Sequence, residues 1–382
     1  MRTVAVVTGT RAEYGLLRPV MVRIADCPGL RLQLVVSGMH LAEEFGMTVR
    51  EIAADGFPID ARVPVLPPGD AAADMAEAVG QGIIGFNREF ARLAPDVVLV
   101  LGDRIEAFAA TVAGALSGRV VGHIHGGDRS RGGFDESMRH AVTKLAHLHF
   151  AATKTSKERI LKLGERPRYV WLTGAPGIDA ILACKRLGRA ELSETLGVDF
   201  GRPVILCVQH PVSTDEGAAA GQMRTTLEAL ERVGEQTILL YPNSDAGGRR
   251  MMGVIREYEG RPWLRTFPSL AHNVYLSLLT ECSVMVGNSS SGIIEAPFFK
   301  VPVVNVGTRQ EGRERSENVL DAAHDAVAIE KAVRRAISDE EFRRRLAQCT
   351  SPYGDGRAGE RIAQVLQSVV IDATLLGKQI TY

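Results

Sequence analysis

Short apolar runs alternate with longer amphipathic stretches along the whole chain. The runs are Val4–Thr8, Leu32–Val36, Val97–Leu101, Val120–Ile124 and Leu148–Ala152, then Val204–Val208, Ile238–Tyr241, Val284–Val286 and Val301–Val306. Within them Val, Ile and Leu follow one another without alternation, the pattern of a parallel strand buried on both faces. Strands separated by helix-length segments imply right-handed βαβ crossovers and therefore an α/β fold. The series pauses at Leu172-Thr173-Gly174 and restarts beyond Gly174-Ala175-Pro176-Gly177, where Gly and Pro cluster. That break predicts two parallel sheets facing each other across one cleft. Ligands of open parallel sheets bind beyond the carboxyl ends of the strands, so the loops after each run are the places to look for chemistry.

The first such loop reads Thr8-Gly9-Thr10-Arg11-Ala12-Glu13-Tyr14-Gly15. Glycine allows close backbone approach, and Arg11 can meet a phosphate with paired hydrogen bonds. It is neither a dinucleotide fingerprint nor a Walker loop, and an ordinary βα turn would read the same. In the second half, Gly287-Asn288-Ser289-Ser290-Ser291-Gly292 follows an apolar run and opens a helix. Its free N–H groups suit a diphosphate, with Ser289, Ser290, Ser291 and Gly292 as contacts, and Glu295 one turn on can accept from ribose hydroxyls. Arg309, Arg313 and Arg315 follow the run Val301–Val306, either facing the cleft or forming a solvated charged loop. Tyr275 could stack on a base or simply belong to the core.

The densest constellation is Gly122-His123-Ile124-His125-Gly126-Gly127-Asp128 followed by Gly132-Gly133-Phe134-Asp135-Glu136-Ser137-Met138-Arg139-His140, with Gly102-Asp103-Arg104 nearby. Carboxylates facing one another have their pKa values pushed apart, which provides one acid and one base. A His-x-His pair beside an aspartate is also a metal pattern, and Asp135 could be no more than an N-cap. His210, directly after Val204–Val208, is a further candidate acid or base.

Composition narrows the partners. Lys+Arg and Asp+Glu both number 45, so no basic excess favours nucleic acid. No apolar stretch is long enough to span a bilayer and no signal-peptide core precedes Val4, which predicts a cytoplasmic protein without a membrane partner. The five cysteines are scattered without a CxxC spacing, as expected of reduced, packed thiols.

Taken together and in this order, the motifs resemble those of hydrolysing UDP-N-acetylglucosamine 2-epimerases. They are Thr8–Gly15, Gly102–Arg104, His123–Gly127, Asp135–His140, Tyr241-Pro242-Asn243-Ser244-Asp245-Ala246-Gly247, Gly287–Glu295 and Arg309–Asn318. The resemblance implies a glycosyltransferase-B-like pair of Rossmann-like domains, 1–174 and 175–365, with 366–382 crossing back or forming a tail. It implies a reaction without metal or NAD, in which a UDP-sugar and water give UDP and the free 2-epimerised sugar. From UDP-GlcNAc the product is N-acetylmannosamine, a precursor of sialic acid; some relatives act on UDP-N,N′-diacetylbacillosamine towards legionaminic acid. By the same resemblance Asp103, Asp128, Asp135 and Glu136 face the sugar, and His210 is an acid. Arg11, Arg313 and Ser289–Gly292 hold the diphosphate, Glu295 the ribose and Tyr275 the uracil. A homodimer or tetramer is implied. Many members carry Glu where Asp128 stands, and Arg129-Ser130-Arg131 is more basic than expected. Rival readings are a glycosyltransferase of the same architecture, a non-hydrolysing epimerase, a metal-dependent hydrolase and a nucleotide-sugar sensor.

Overall fold

The computed structural model describes residues 1–382 except 68, 70 and 130–133, and the side chains of 213 and 214. The Gly132-Gly133 pair and the Ser130-Arg131 departure lie outside the described residues. The first sheet contains β1 (Arg2–Thr8), β2 (Leu30–Ser37), β3 (Ala61–Val63), β4 (Val97–Leu101), β5 (Val120–Ile124), β6 (Leu148–Ala151) and β7 (Val170–Leu172). Its order is β3-β2-β1-β4-β5-β6-β7, and every pairing is parallel. The second contains β8 (Val204–Val208), β9 (Gln236–Leu240), β10 (Leu264–Phe267), β11 (Val284–Gly287), β12 (Val303–Val306) and β13 (Val319–Ala322). It runs β10-β9-β8-β11-β12-β13, again wholly parallel. This is the expected pair of α/β domains.

The central strands match the apolar runs, and β4 is buried at every position. The sequence pattern missed β3, β7, β10 and β13, and all four are sheet edges. Edge strands are covered on one side only, so Ala-Arg-Val at β3 and Leu-Arg-Thr-Phe at β10 interleave polar residues and show no continuous run.

Two helices on the far side of the Gly174 break pack on the first domain. Pro176–Ala183 carries Asp179, which accepts from the amides of Ala358 (3.0 Å) and Gly359 (2.8 Å) and so caps the helix Ala358–Ser368. That helix buries Ile362, Ala363 and Leu366 in one cluster with Val4, Leu17 and Met21. The chain therefore returns to the first sheet at 358, earlier than the 366 expected, because the apolar face of the helix Arg11–Ala25 needs cover. Arg2 holds the return in place through the carbonyls of Leu366 and Val369. Further on, Lys378 pairs with Glu165 at 2.6 Å. It also donates to the carbonyls of Thr143 (3.0 Å) and Ala146, at the C-terminal end of the helix Asp135–Leu145. All five cysteines are free, and Cys207, Cys282 and Cys349 are buried. Among the described residues no helix is long and apolar enough to cross a membrane.

Candidate active site

Each sheet reverses its strand order once, between β1 and β4 and between β8 and β11. Neighbouring loops diverge at such a point and leave a crevice. The loops concerned are Gly9–Arg11, Gly102–Arg104, Gln209–His210 and Asn288–Ser291, and they carry Arg11, Asp103, His210, Ser289, Ser290 and Ser291 of the sequence-predicted site. Gly287 lets β11 enter this crevice. Its φ is +127°, and a Cβ there would run into the carbonyl of Val208. Gly287→Ala is expected to destabilise the fold by about 3 kcal/mol, combining strain and overlap. A thermal melt unchanged from wild type would show that the loop relaxes freely.

The first loop is organised by the helix it starts. Thr10 caps the helix by accepting from the amide of Glu13 (3.3 Å), while the Glu13 carboxyl accepts from the amide of Gly9 (2.6 Å), a relative of the capping box. Burial pushes Glu13 up to about 8, opposed by the Gly9 amide and helped by neighbouring Glu106. Arg11 differs from expectation. It pairs with Glu51 and donates to Ser269 Oγ at 2.6 Å, and Glu51 also accepts from the amide of His272 (3.1 Å). In this structure Arg11 reaches the second domain through Ser269, and Glu51, in its own domain, reaches it through the amide of His272.

The carboxylates gather around Arg139, whose side chain is 1% exposed. Its guanidinium pairs with Asp103, meets Glu136 at 2.8 Å and donates to the carbonyl of Asp128 at 3.0 Å. Burial alone would raise Asp103, but Arg139, Arg313 and Arg309 together hold it below the usual carboxylate range. Asp135 accepts from Arg309 at 3.0 Å, across the cleft. Burial nevertheless pushes it up to about 7, Arg309 opposing and Asp103 and Asp245 adding to the rise. Glu136, part-exposed, also meets His140 Nε2 at 3.1 Å. Asp128 accepts from Ser156 Oγ at 2.8 Å and lies 3.0 Å from His125 Nδ1 and 3.7 Å from Arg313. Burial would raise Asp128 as well, but His125, Arg313 and Arg139 outweigh it and hold it low. His123 is occupied on both nitrogens. Nε2 donates to the carbonyl of Gly102 (2.8 Å), Nδ1 faces Thr143 Oγ1 (3.2 Å), and burial pushes the ring down to about 3.

On the second-domain side, His210 Nδ1 accepts from the amide of Asn243 at 3.2 Å, and Asn288 brackets its backbone at 2.7 and 2.9 Å. Burial, then Arg309 and Arg104, hold the imidazole well below its usual range. An amide can only donate, so neutral His210 carries its proton on Nε2. That geometry fits a hydrogen-bond donor better than the proton-releasing acid expected of it.

The serine loop opens a helix of one turn, Ser291–Ile294, too short for a sizeable macrodipole. Its donors are local. Ser291 donates its amide to Ser289 Oγ (3.3 Å) and Gly292 to the carbonyl of Ser289 (3.2 Å). Among the described residues the amides of Ser289 and Ser290 have no acceptor within the chain. Gly292 has a packing role, since a Cβ there would lie 2.9 Å from Val303 Cγ1. Tyr275 donates to Ser291 Oγ, which donates to Glu295, and burial pushes Glu295 up to about 7. The Tyr275 ring packs at the edge of the second-domain core while its hydroxyl reaches the loop, so the two readings of this residue are compatible.

Across the cleft Arg104 donates to Ser244 Oγ at 3.0 Å and to Asp245 at 3.3 Å, with Glu106 beside it at 3.2 Å. Sequence reasoning gave no catalytic or substrate-binding role to Arg139, Glu13, Glu106, Arg104 and Asp245, and weighed His125 only as a metal ligand. Signals existed for two of them. Arg139 stands one helical turn after Asp135, and Thr10 with Glu13 matches the capping spacing.

A cleft between two parallel sheets, lined by arginines, free amides and paired carboxyls, describes an enzyme that handles a phosphorylated sugar. The chain belongs to the UDP-N-acetylglucosamine 2-epimerase family, whose model matches residues 23–367. It is 40% identical over 378 residues to the UDP-N,N′-diacetylbacillosamine 2-epimerase (hydrolyzing) of Legionella pneumophila, covering 99% of both chains. It is 32% identical to the UDP-N-acetylglucosamine 2-epimerase of Neisseria meningitidis, covering 96% of both. Its fold superposes on a crystal structure of UDP-GlcNAc 2-epimerase from Neisseria meningitidis bound to UDP-GlcNAc with a TM-score of 0.79, at 20% identity, covering 96% of this chain and 99% of that one. A structure of S. aureus MnaA with UDP gives 0.81 at 21% identity, covering 96% of each. The chain is thus a UDP-sugar 2-epimerase by family.

Proposed function

We propose that the protein epimerises a UDP-2-acetamido sugar at C2 with hydrolysis, and that UDP-N,N′-diacetylbacillosamine is the preferred substrate. The observation that carries the hydrolysing chemistry is the adjacent pair Asp103, held ionised, and Asp135, pushed up to about 7. Inversion at C2 requires one group to remove a proton and another to return one to the opposite face, and a raised carboxyl beside an ionised one can serve the returning step. The C2 proton is scarcely acidic, so the C1–O bond must begin to break first. Positive groups on the diphosphate assist its departure. Arg313 and Arg309, the amides of Ser289 and Ser290, the Ser291 hydroxyl and His210 Nε2–H fill that role in this reading. Loss of UDP and the C2 proton leaves a 2-acetamidoglucal, to which water then adds at C1. Glu295 takes the ribose and Tyr275 the uracil.

The Legionella relative's name supports the sugar, and the Neisseria relative's name supports UDP-GlcNAc as a second substrate. The test is proton NMR of the protein with each UDP-sugar in D₂O containing EDTA. The expected result is UDP and free 2-epimerised sugar carrying deuterium at C2, fastest from UDP-N,N′-diacetylbacillosamine and insensitive to the chelator. A sugar that stays on UDP would show the non-hydrolysing reaction, and activity lost to EDTA would show a metal requirement.

A further inference from the structure

His125 is part of the glycine-rich loop, yet the carboxylate reading gives it no task. It directly follows β5 and has φ +64°, a left-handed conformation that a non-glycine residue holds only when its surroundings impose it. Here its amide is fixed to the carbonyl of Phe150 at 3.2 Å. The side chain is buried, with Nδ1 3.0 Å from Asp128 Oδ2. Asp128 is in turn immobilised by Ser156 at 2.8 Å and Arg313 at 3.7 Å. An ionised carboxylate only accepts, so Nδ1 carries a proton, and in the neutral form of the ring Nε2 is the nitrogen that holds the lone pair. Nε2 is buried and, among the described residues, has no hydrogen-bond partner. A buried nitrogen left without a partner is costly, and a site that keeps one holds it ready for a ligand.

Resting on the hydrolysing reading above, we propose that His125 is a catalytic residue, the base that takes the C2 proton, and that Asp128 is the positioning residue behind it. The C2–H bond breaks with its proton passing to Nε2, and its electron pair becomes the C1=C2 bond. The C1–O bond breaks with its pair leaving on UDP. Asp128 steadies the imidazolium so formed, the part an aspartate plays behind a histidine base. Asp135 then delivers its proton to the other face of C2 while water adds at C1, the spare proton of water returning to the Asp103–Asp135 pair. The imidazolium loses its proton to departing UDP and solvent, which restores the starting state. Asp128 itself is a poor candidate for the base, because Ser156 and His125 each occupy one of its oxygens and Arg313 lies 3.7 Å away.

The experiment separates the two halves of the reaction. The His125→Gln variant is assayed with UDP-N,N′-diacetylbacillosamine and, separately, with the corresponding 2-acetamidoglucal in D₂O. The expected outcome is a fall in kcat of about 10³-fold with UDP affinity retained, as for loss of a general base, while glucal hydration stays near wild type. Retained hydration also shows that the variant is folded. Asp128→Asn is expected to slow elimination and to spare hydration in the same way. Elimination within about tenfold of wild type in His125→Gln, with Asp128→Asn inactive, would make Asp128 the base and overturn the assignment. Equal loss in both halves would overturn it too, as a merely structural effect. A wild-type protein that turns over neither UDP-sugar would bring down the functional reading itself, and this proposal with it.

Discussion

Arg139→Met is expected to destabilise the protein by about 3–5 kcal/mol, the usual result of breaking a buried ion pair from one side. The guanidinium is 1% exposed and serves Asp103, Glu136 and the Asp128 carbonyl together, so its removal leaves two part-exposed carboxylates without their common cation. The pH dependence identifies the cause. In the native protein Asp103 is held below its ordinary range, so it contributes stability above the unfolded carboxylate value, and that contribution is lost as pH falls through the folded value. Without Arg139 the largest influence on Asp103 is burial, which favours the neutral form and makes ionisation costly. The deficit of the variant should therefore be greatest near about pH 8 and shrink towards about pH 5, as Asp103 takes up a proton. Urea denaturation at the two pH values measures this. An equal deficit at both would attribute the loss to packing alone. Turnover should fall by about 10³-fold or more, because the carboxylates lose their common anchor.

Asp135→Asn should have the opposite effect on stability while also silencing the enzyme. Burial pushes Asp135 up to about 7, so the folded state keeps a proton that the unfolded chain gives up near about pH 4. For a raised carboxyl the sign is clear. Stability falls as pH rises from the unfolded value to the folded one, and stays low above it. Asparagine never ionises and escapes this penalty. The variant should be more stable than wild type by about 2 kcal/mol near about pH 8, with the gain fading towards about pH 4. The figure sits below the full linkage because Asn leaves Arg309, now 3.0 Å from a carboxylate, facing only an amide. Thermal melts across this range check the trend, and a variant less stable than wild type at alkaline pH would contradict it. The loss in turnover is expected to be about 10³-fold, as for removal of a general acid. A residue that weakens the fold at working pH and is retained nonetheless marks where stability is exchanged for chemistry.

The sequence and the structure agree best where burial is complete. Val97–Leu101 and Val204–Val208 are strands by composition alone, because both faces are covered. The edges β3, β7, β10 and β13 escaped because exposure breaks the run. The loops after the strands could be read from their place in the pattern: Asp103, Asp128 and His210 lie on them, and Asp135 opens the helix Asp135–Leu145. Which side chain pairs with which could not be read, since pairing depends on the approach of two domains. Arg11 meets Ser269, and Asp135 meets Arg309, through contacts that no local pattern encodes. Arg139 was hidden for another reason. A charged residue on an amphipathic helix reads as a solvated one, and only the carboxylates around it draw it inside. Gly292 misled in the reverse direction, its small size answering to Val303 as well as to any ligand.

The return of the chain to the first sheet sets the order in which the molecule is finished. As the polypeptide emerges from the ribosome, strands β1 to β7 appear first, but the face of the helix Arg11–Ala25 stays uncovered until Ile362 and Leu366 arrive. The helix that bears Asp135 and Arg139 lacks its anchor until Lys378 reaches Thr143 and Ala146. The domain made first is completed last. A nascent chain halted before residue 358 would hold both sheets without Ile362 and Leu366 over the first core or Lys378 at the end of the helix that bears Asp135.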